Sequence, residues 1–220
     1  MRGLRAAVAG LILMAYAAGA GGGETASTSS ADVPQARGNA TTQPATADDG
    51  AGLLDPAPQT GPLVYRLSDS APEWDSAVRR RIVEAMDAAV AAYNRYGQFE
   101  KTVIANYNPG TPTADANYDG WINFGGQIGF RTALHEIGHT LGVGTHRRWR
   151  SMIRDGKWIG EHANRQLREF DGPDAVLNAD RLHFWPYGLN YDREGYDEEQ
   201  VRRHILMVHA LRRDMGLVSE

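Results

Sequence analysis

A chain of 220 residues with a formal net charge of −4 has room for one domain with a real core, and its mild acidity, without a basic block, argues against a nucleic-acid partner. It contains no cysteine, which excludes a disulfide framework, a thiolate metal site and a cysteine nucleophile. Any metal must be held by His, Asp, Glu or water.

The first segment, "MRGLR" followed by "AAVAGLILMAYAAGA", has the layout of a secretory signal peptide. Its apolar run is shorter than the ~20 residues a spanning helix needs. Ala18 and Ala20 place small residues at the −3 and −1 positions, so cleavage is expected after Ala20. The expectation is a secreted or periplasmic protein with no membrane attachment after processing. Residues 21–61 carry only Val33, Leu53 and Leu54 as bulky aliphatics. They read as a disordered linker or pro-segment, because they cannot bury enough surface to offset their ordering entropy.

The folded domain is expected over 62–220. "LVYRL" (63–67) alternates and reads as a strand. Ser70 and Glu73 form a capping-box pattern. Val78, Ile82, Met86, Val90 and Tyr93 then recur at helical spacing up to Gly97, which predicts a long amphipathic helix packed on a sheet. "KTVIANYN" (101–108) and "WINFG" (121–125) read as strands. Between them, "DANYDG" (115–120) matches the opening of a calcium loop but lacks its closing glutamate, since position twelve is Gly126. It reads as a turn. A helix is expected over 131–141, ending at Gly142. Residues 143–196 look irregular, with one short helix near "GEHANRQLREF". The charges of "VRRRIVE" and "HRRWRSMIR" read as solvated faces, and His204 and His209 as surface or packing residues. A terminal helix carries acids at its start, arginines near its end and a stripe of Val201, Ile205, Val208, Leu211 and Met215. The fold class is α+β: a small twisted sheet, a long backing helix, a motif helix and a C-terminal helix.

The motif is "HEIGH", residues 135–139, an HExxH. Residues i and i+4 share a helix face, so His135 and His139 can point two imidazoles at one zinc ion. Glu136 is turned about 100° from His135. It is placed to touch a metal-bound water rather than the metal, which suits a general base. The third ligand is open. His183 lies among Phe184, Trp185, Pro186 and Tyr187, which would hold it rigidly. His146 is followed by two arginines, which disfavour a nearby dication. A carboxylate such as Glu161 is a further alternative.

"HEIGHTLGVGT" resembles the metzincin group of zinc metallopeptidases, in which a glycine after the second His turns the chain toward a third His. The likeness runs from Leu63 to Leu141. Beyond it Thr145 stands at the expected position of the third His, with His146 one residue late, and no clear Met-turn follows. A narrower likeness pairs "HEIGHTLGVGT" with "FDGPDAVLNADRLHFWPYGLNY". This is similar to a group of secreted bacterial metalloprotease-like proteins, some with lectin modules. In that group the His of "HFWPYG" is part of the motif, which implies His183 as third ligand. The metzincin likeness also implies a zinc-proximal tyrosine stabilising an oxyanion, for which Tyr187 is the candidate and Tyr191 a weaker one. It further implies substrate pairing along a strand edge beside the motif helix, here "WINFG".

The resulting expectation is a monomeric, secreted zinc endopeptidase acting on a protein or peptide substrate. The competing expectations are a zinc amidase acting on cell-wall cross-links and a non-catalytic surface binding protein. Retention of Glu136 argues against the last of these.

Overall fold

The computed structural model describes residues 54–191 and 196–218. The expected signal peptide and residues 21–53 of the expected linker lie outside the described residues.

Strand β1 (Leu63–Leu67) is followed by α1 (Ser76–Tyr96), β2 (Lys101–Tyr107), β3 (Ala114–Ala116), β4 (Trp121–Phe124) and α2 (Phe130–Thr140). The four strands form one sheet in the order β1-β2-β4-β3. β1, β2 and β4 run parallel, with Leu63 opposite Lys101 and Ile104 opposite Trp121. β3 folds back antiparallel on β4, with Asp115 opposite Asn123. The period-2 alternation of side chains puts Leu63, Tyr65, Val103, Ala105, Ile122 and Phe124 in the core.

Two sequence expectations change here. The sheet order makes β4 an interior strand, so "WINF" is not the edge. The edges are β1 and β3, and the one that packs beside α2 is β3, a strand hidden in a stretch rich in turn residues. The Ser70–Glu73 pair does not start α1 either. Residues Ala71–Glu73 form a single 3-10 turn, and the Ser70 hydroxyl meets Trp74 Nε1, Ser68 and Asn106. The cap is Asp75, whose carboxylate accepts from Ala77 N at 2.9 Å and Val78 N at 3.2 Å.

α1 lays Ile82, Met86, Val90 and Tyr93 into the core, while Val78 is only partly covered. Its charges are not all solvated. Arg79 is buried, donating to Leu54 O at 2.9 Å and to the Asp55 carboxylate at 2.6 Å. Asp87 accepts from Ala57 N, and Gln59 bonds both backbone groups of Tyr65. Residues 54–61, assigned by composition to the linker, are therefore fastened to α1 and β1.

After α2 the chain enters a region held by a second, smaller antiparallel sheet of two-residue strands: β5 (Ile153–Arg154), β6 (Lys157–Trp158), β7 (Asn178–Ala179) and β8 (Phe184–Trp185). Strands this short show no periodicity, so the sequence reads as loop. Helix α3 (Glu161–Asp171) lies between β6 and β7, and α4 (Glu198–Asp214) closes the fold. Asp197 caps α4 by accepting from Gln200 N at 2.8 Å. Its stripe of Val201, Ile205, Val208, Leu211 and Met215 is buried as the spacing predicts. His204 joins that buried face at 1 % exposure. No helix among the described residues is long and apolar enough to cross a membrane.

Candidate metal centre

Helix α2 is the most enclosed element, with all but Phe130 and His135 of its eleven residues buried. It starts after Gly129 and ends where Gly142 takes a left-handed φ of 116°. That reversal brings Val143 back over the last turn. The Val143 carbonyl stands 2.7 Å from His139 Nδ1. His135 Nδ1 meets the Gly188 carbonyl at 2.9 Å.

A carbonyl oxygen only accepts, so both Nδ1 atoms carry hydrogen. Both rings are also held neutral. His135 is pushed well below its usual value by burial, then by His139. His139 is pushed down to about 4, again chiefly by burial. A neutral ring protonated at Nδ1 has a lone pair at Nε2. The two Nε2 atoms face each other at 3.0 Å. Two lone pairs cannot hydrogen-bond to each other, so the pair calls for a cation. Nitrogens sharing a tetrahedral ion at ~2.0–2.1 Å stand ~3.3 Å apart, close to the spacing found.

His183 supplies the third ring. Its centroid lies 5.4 Å from that of His135 and 5.6 Å from that of His139. One ligand atom from each of the three rings falls within 4.8 Å of the others, near enough to hold a metal ion. Three devices bring His183 there. Gly144, at φ 68°, packs so closely on residue 182 that a Cβ would stand 2.2 Å from the Leu182 carbonyl. The Asp180 carboxylate accepts from Leu182 N at 2.8 Å and His183 N at 2.7 Å, and lies 3.6 Å from His183 Nδ1. Burial works to raise the Asp180 carboxyl, but these backbone bonds and the His183 ring outweigh it and hold it below its ordinary value. Trp149, fully buried against Trp158, donates Nε1 to the Asp180 carbonyl at 2.9 Å.

The other candidates stand apart. Thr145, at the metzincin third-His position, donates its hydroxyl to the His139 carbonyl and so closes the C-terminus of α2. His146 packs on Tyr118 with ring centroids 4.7 Å apart, and its Nδ1 accepts from Arg148 N. Its pKa is lowered by partial burial and by Arg147, Arg148 and Arg212. Glu161 is the exposed first residue of α3. Neither His146 nor Glu161 belongs to the histidine group. Residues 115–120 build the β3–β4 turn. Asp115 accepts from Asn123 Nδ2, and Asn117 accepts from Trp121 N.

Glu136 is 5 % exposed and lines the same cleft as the histidines. Its Oε2 has no hydrogen-bond partner among the described residues. Burial, reinforced by Asp115 and opposed by Arg131, raises its carboxyl to about 8. A carboxyl shifted this way by burial inside a cleft marks a candidate for proton transfer. The cleft measures about 450 Å³ and is lined by Thr113–Ala116, which include the edge strand β3, and by Tyr191. Tyr187 does not line it. Its hydroxyl donates to Asp171 at 2.6 Å and accepts from Arg203.

Sequence reasoning missed Asp180, Trp149 and the Gly188 carbonyl. Asp180 carried a readable signal, a carboxylate three residues before a candidate ligand. The Gly188 carbonyl carried none. Comparison with protein-family models, curated proteins and solved structures finds no match for this chain.

Proposed function

We propose that this chain is a secreted, zinc-dependent endopeptidase of metzincin-like type. The observation that supports it most is the pair of Nε2 lone pairs facing each other at 3.0 Å beside a third imidazole. Three imidazoles and no thiolate suit zinc among the common ions, and three protein ligands leave a coordination position open for catalysis.

Zinc, when bound, supplies a Lewis acid and a water whose pKa is lowered to about 7. His135, His139 and His183 would hold the ion. Glu136, which lines the cleft and whose Oε2 has no hydrogen-bond partner among the described residues, would take the proton from the attacking water and pass it to the leaving amine nitrogen. The water oxygen thus ends on the new carboxyl group, and the amine leaves neutral. The free edge of β3 offers backbone groups along which an extended peptide can lie, so main-chain hydrogen bonds contribute affinity. Tyr191, exposed at the cleft, is better placed than Tyr187 to meet a substrate.

The test is cleavage of an unfolded protein, a peptide library and purified cell-wall material, with and without a chelator. Chelator-sensitive cleavage of the protein and peptides, restored by zinc, supports the proposal. Cleavage of cell-wall cross-links alone assigns the chemistry to an amidase.

A further inference from the structure

The segment 184–190 does more than lead away from His183. Tyr187 and Leu189 both adopt left-handed backbone, at φ 66° and 54°. Residues with side chains hold such conformations only where their surroundings fix them. Gly188, between them, has no room for a Cβ, which would stand 2.0 Å from the Phe184 carbonyl.

Successive carbonyls of this turn are engaged by two helices, one by α4 and two by α2. Tyr187 O accepts from His204 Nδ1 of α4 at 2.7 Å. Gly188 O accepts from His135 Nδ1 of α2 at 2.9 Å. Leu189 O accepts from Arg131 Nη1 at 2.7 Å. The Tyr187 side chain adds a second anchor, through Asp171 of α3 and Arg203 of α4. His204 is itself fixed. Its ring stacks on Phe184 at 6.0 Å, and its Nε2 lies 3.0 Å from the Tyr93 hydroxyl. The Tyr93 hydroxyl also reaches the Leu134 carbonyl at 2.9 Å, one residue before His135.

We infer that residues 184–190 form a rigid platform that orients His135 through the Gly188 carbonyl, with His204 and Tyr187 as the positioning residues that lock it. This rests on the reading of His135 as a metal ligand. A hydrogen bond to the far nitrogen of a ligating imidazole fixes its tautomer and aim, and such outer partners typically change metal affinity 10–100-fold. Here the partner is a backbone atom, so side chains must hold it in place. Tyr187 thus acts on the site from behind, without touching substrate.

The experiment measures zinc affinity of the full chain by competition with a chromophoric chelator, and the visible spectrum of the cobalt-loaded protein. The variants are Tyr187→Phe, His204→Phe and His204→Asn, each checked by circular dichroism to be folded at the temperature used. Tyr187→Phe and His204→Phe should weaken zinc about tenfold and alter the cobalt spectrum. His204→Asn, which still offers a donor to Tyr187 O, should recover most of that loss. Folded variants with reduced thermal stability but wild-type zinc affinity and cobalt spectrum would overturn the inference. If His204→Phe does not fold, Tyr187→Phe decides by the same criteria. Wild-type protein that takes up no zinc would overturn the metal reading itself, which separates that failure from one seen in the variants alone.

Discussion

His135 and His139 present their Nε2 atoms to each other at 3.0 Å, while each Nδ1 donates to a backbone carbonyl. The arrangement fixes both tautomers with the same atom facing inward. It has no internal hydrogen-bond solution when both rings are neutral, and burial keeps them neutral. That relationship supports the proposed metal-binding role of the cleft.

Removing the proposed proton acceptor should separate binding from turnover. Glu136→Gln keeps the shape and all three imidazoles, so zinc content should match wild type. Peptide cleavage should fall by at least 10²–10⁴-fold, the usual contribution of a general base. Steady-state assays beside zinc analysis check this, and wild-type turnover in Glu136→Gln would remove Glu136 from the mechanism.

Asp180 should matter to the metal more than to the fold. Asp180→Ala removes the acceptor for Leu182 N and His183 N and the carboxylate beside the His183 ring. Zinc affinity should drop about 10–100-fold, the range for partners behind a metal-bound histidine. Chelator competition gives the number. An unchanged affinity would mean that the loop holds His183 without this carboxylate.

Trp149 should matter to the fold. Its side chain is fully buried, and it joins the 143–152 segment to Asp180. Trp149→Ala should lower stability by about 3–5 kcal/mol, the cost of a large core truncation. Urea unfolding measures it, and a loss under about 1 kcal/mol would show that this region is not part of the cooperative core.

His204 should make the protein acid-sensitive. Burial holds its pKa down to about 4, whereas an unfolded chain restores about 6.5. The unfolded state therefore takes up the proton first. The stability contributed by neutral His204 is complete above about pH 6.5 and is lost as pH falls toward 4. His204→Asn removes one titrating group, so its stability should fall less steeply than wild type between pH 6.5 and 4. Urea unfolding at pH 7 and pH 5 compares the two. Equal slopes would contradict the assignment.

Much of this was legible in the sequence because it depends on local periodicity. The stripes of α1 and α4, the strands at 63–67, 101–107 and 121–124, and the i,i+4 pair on α2 all follow from spacing. What was not legible depends on contacts distant in sequence. β3 has three residues and no pattern, so the true sheet edge was hidden. The strands β5–β8 are too short to alternate. The capping-box pattern at Ser70 lost to Asp75, which sits directly before the helix. Arg79 looked solvated because nothing local shows that residues 54–55 return to cover it. His183 was reached through its resemblance and its aromatic neighbours. The means that place it, Gly144 packing on Leu182 and Asp180 holding the turn, emerge only when the chain is folded.

The central claim is that His135, His139 and His183 hold one zinc ion and that His146 does not. Zinc bound per chain, measured by atomic spectroscopy after dialysis, tests it in wild type, His183→Ala and His146→Ala. The account predicts one zinc in wild type and in His146→Ala, and substantial loss in His183→Ala. Full occupancy in His183→Ala with loss in His146→Ala would contradict it.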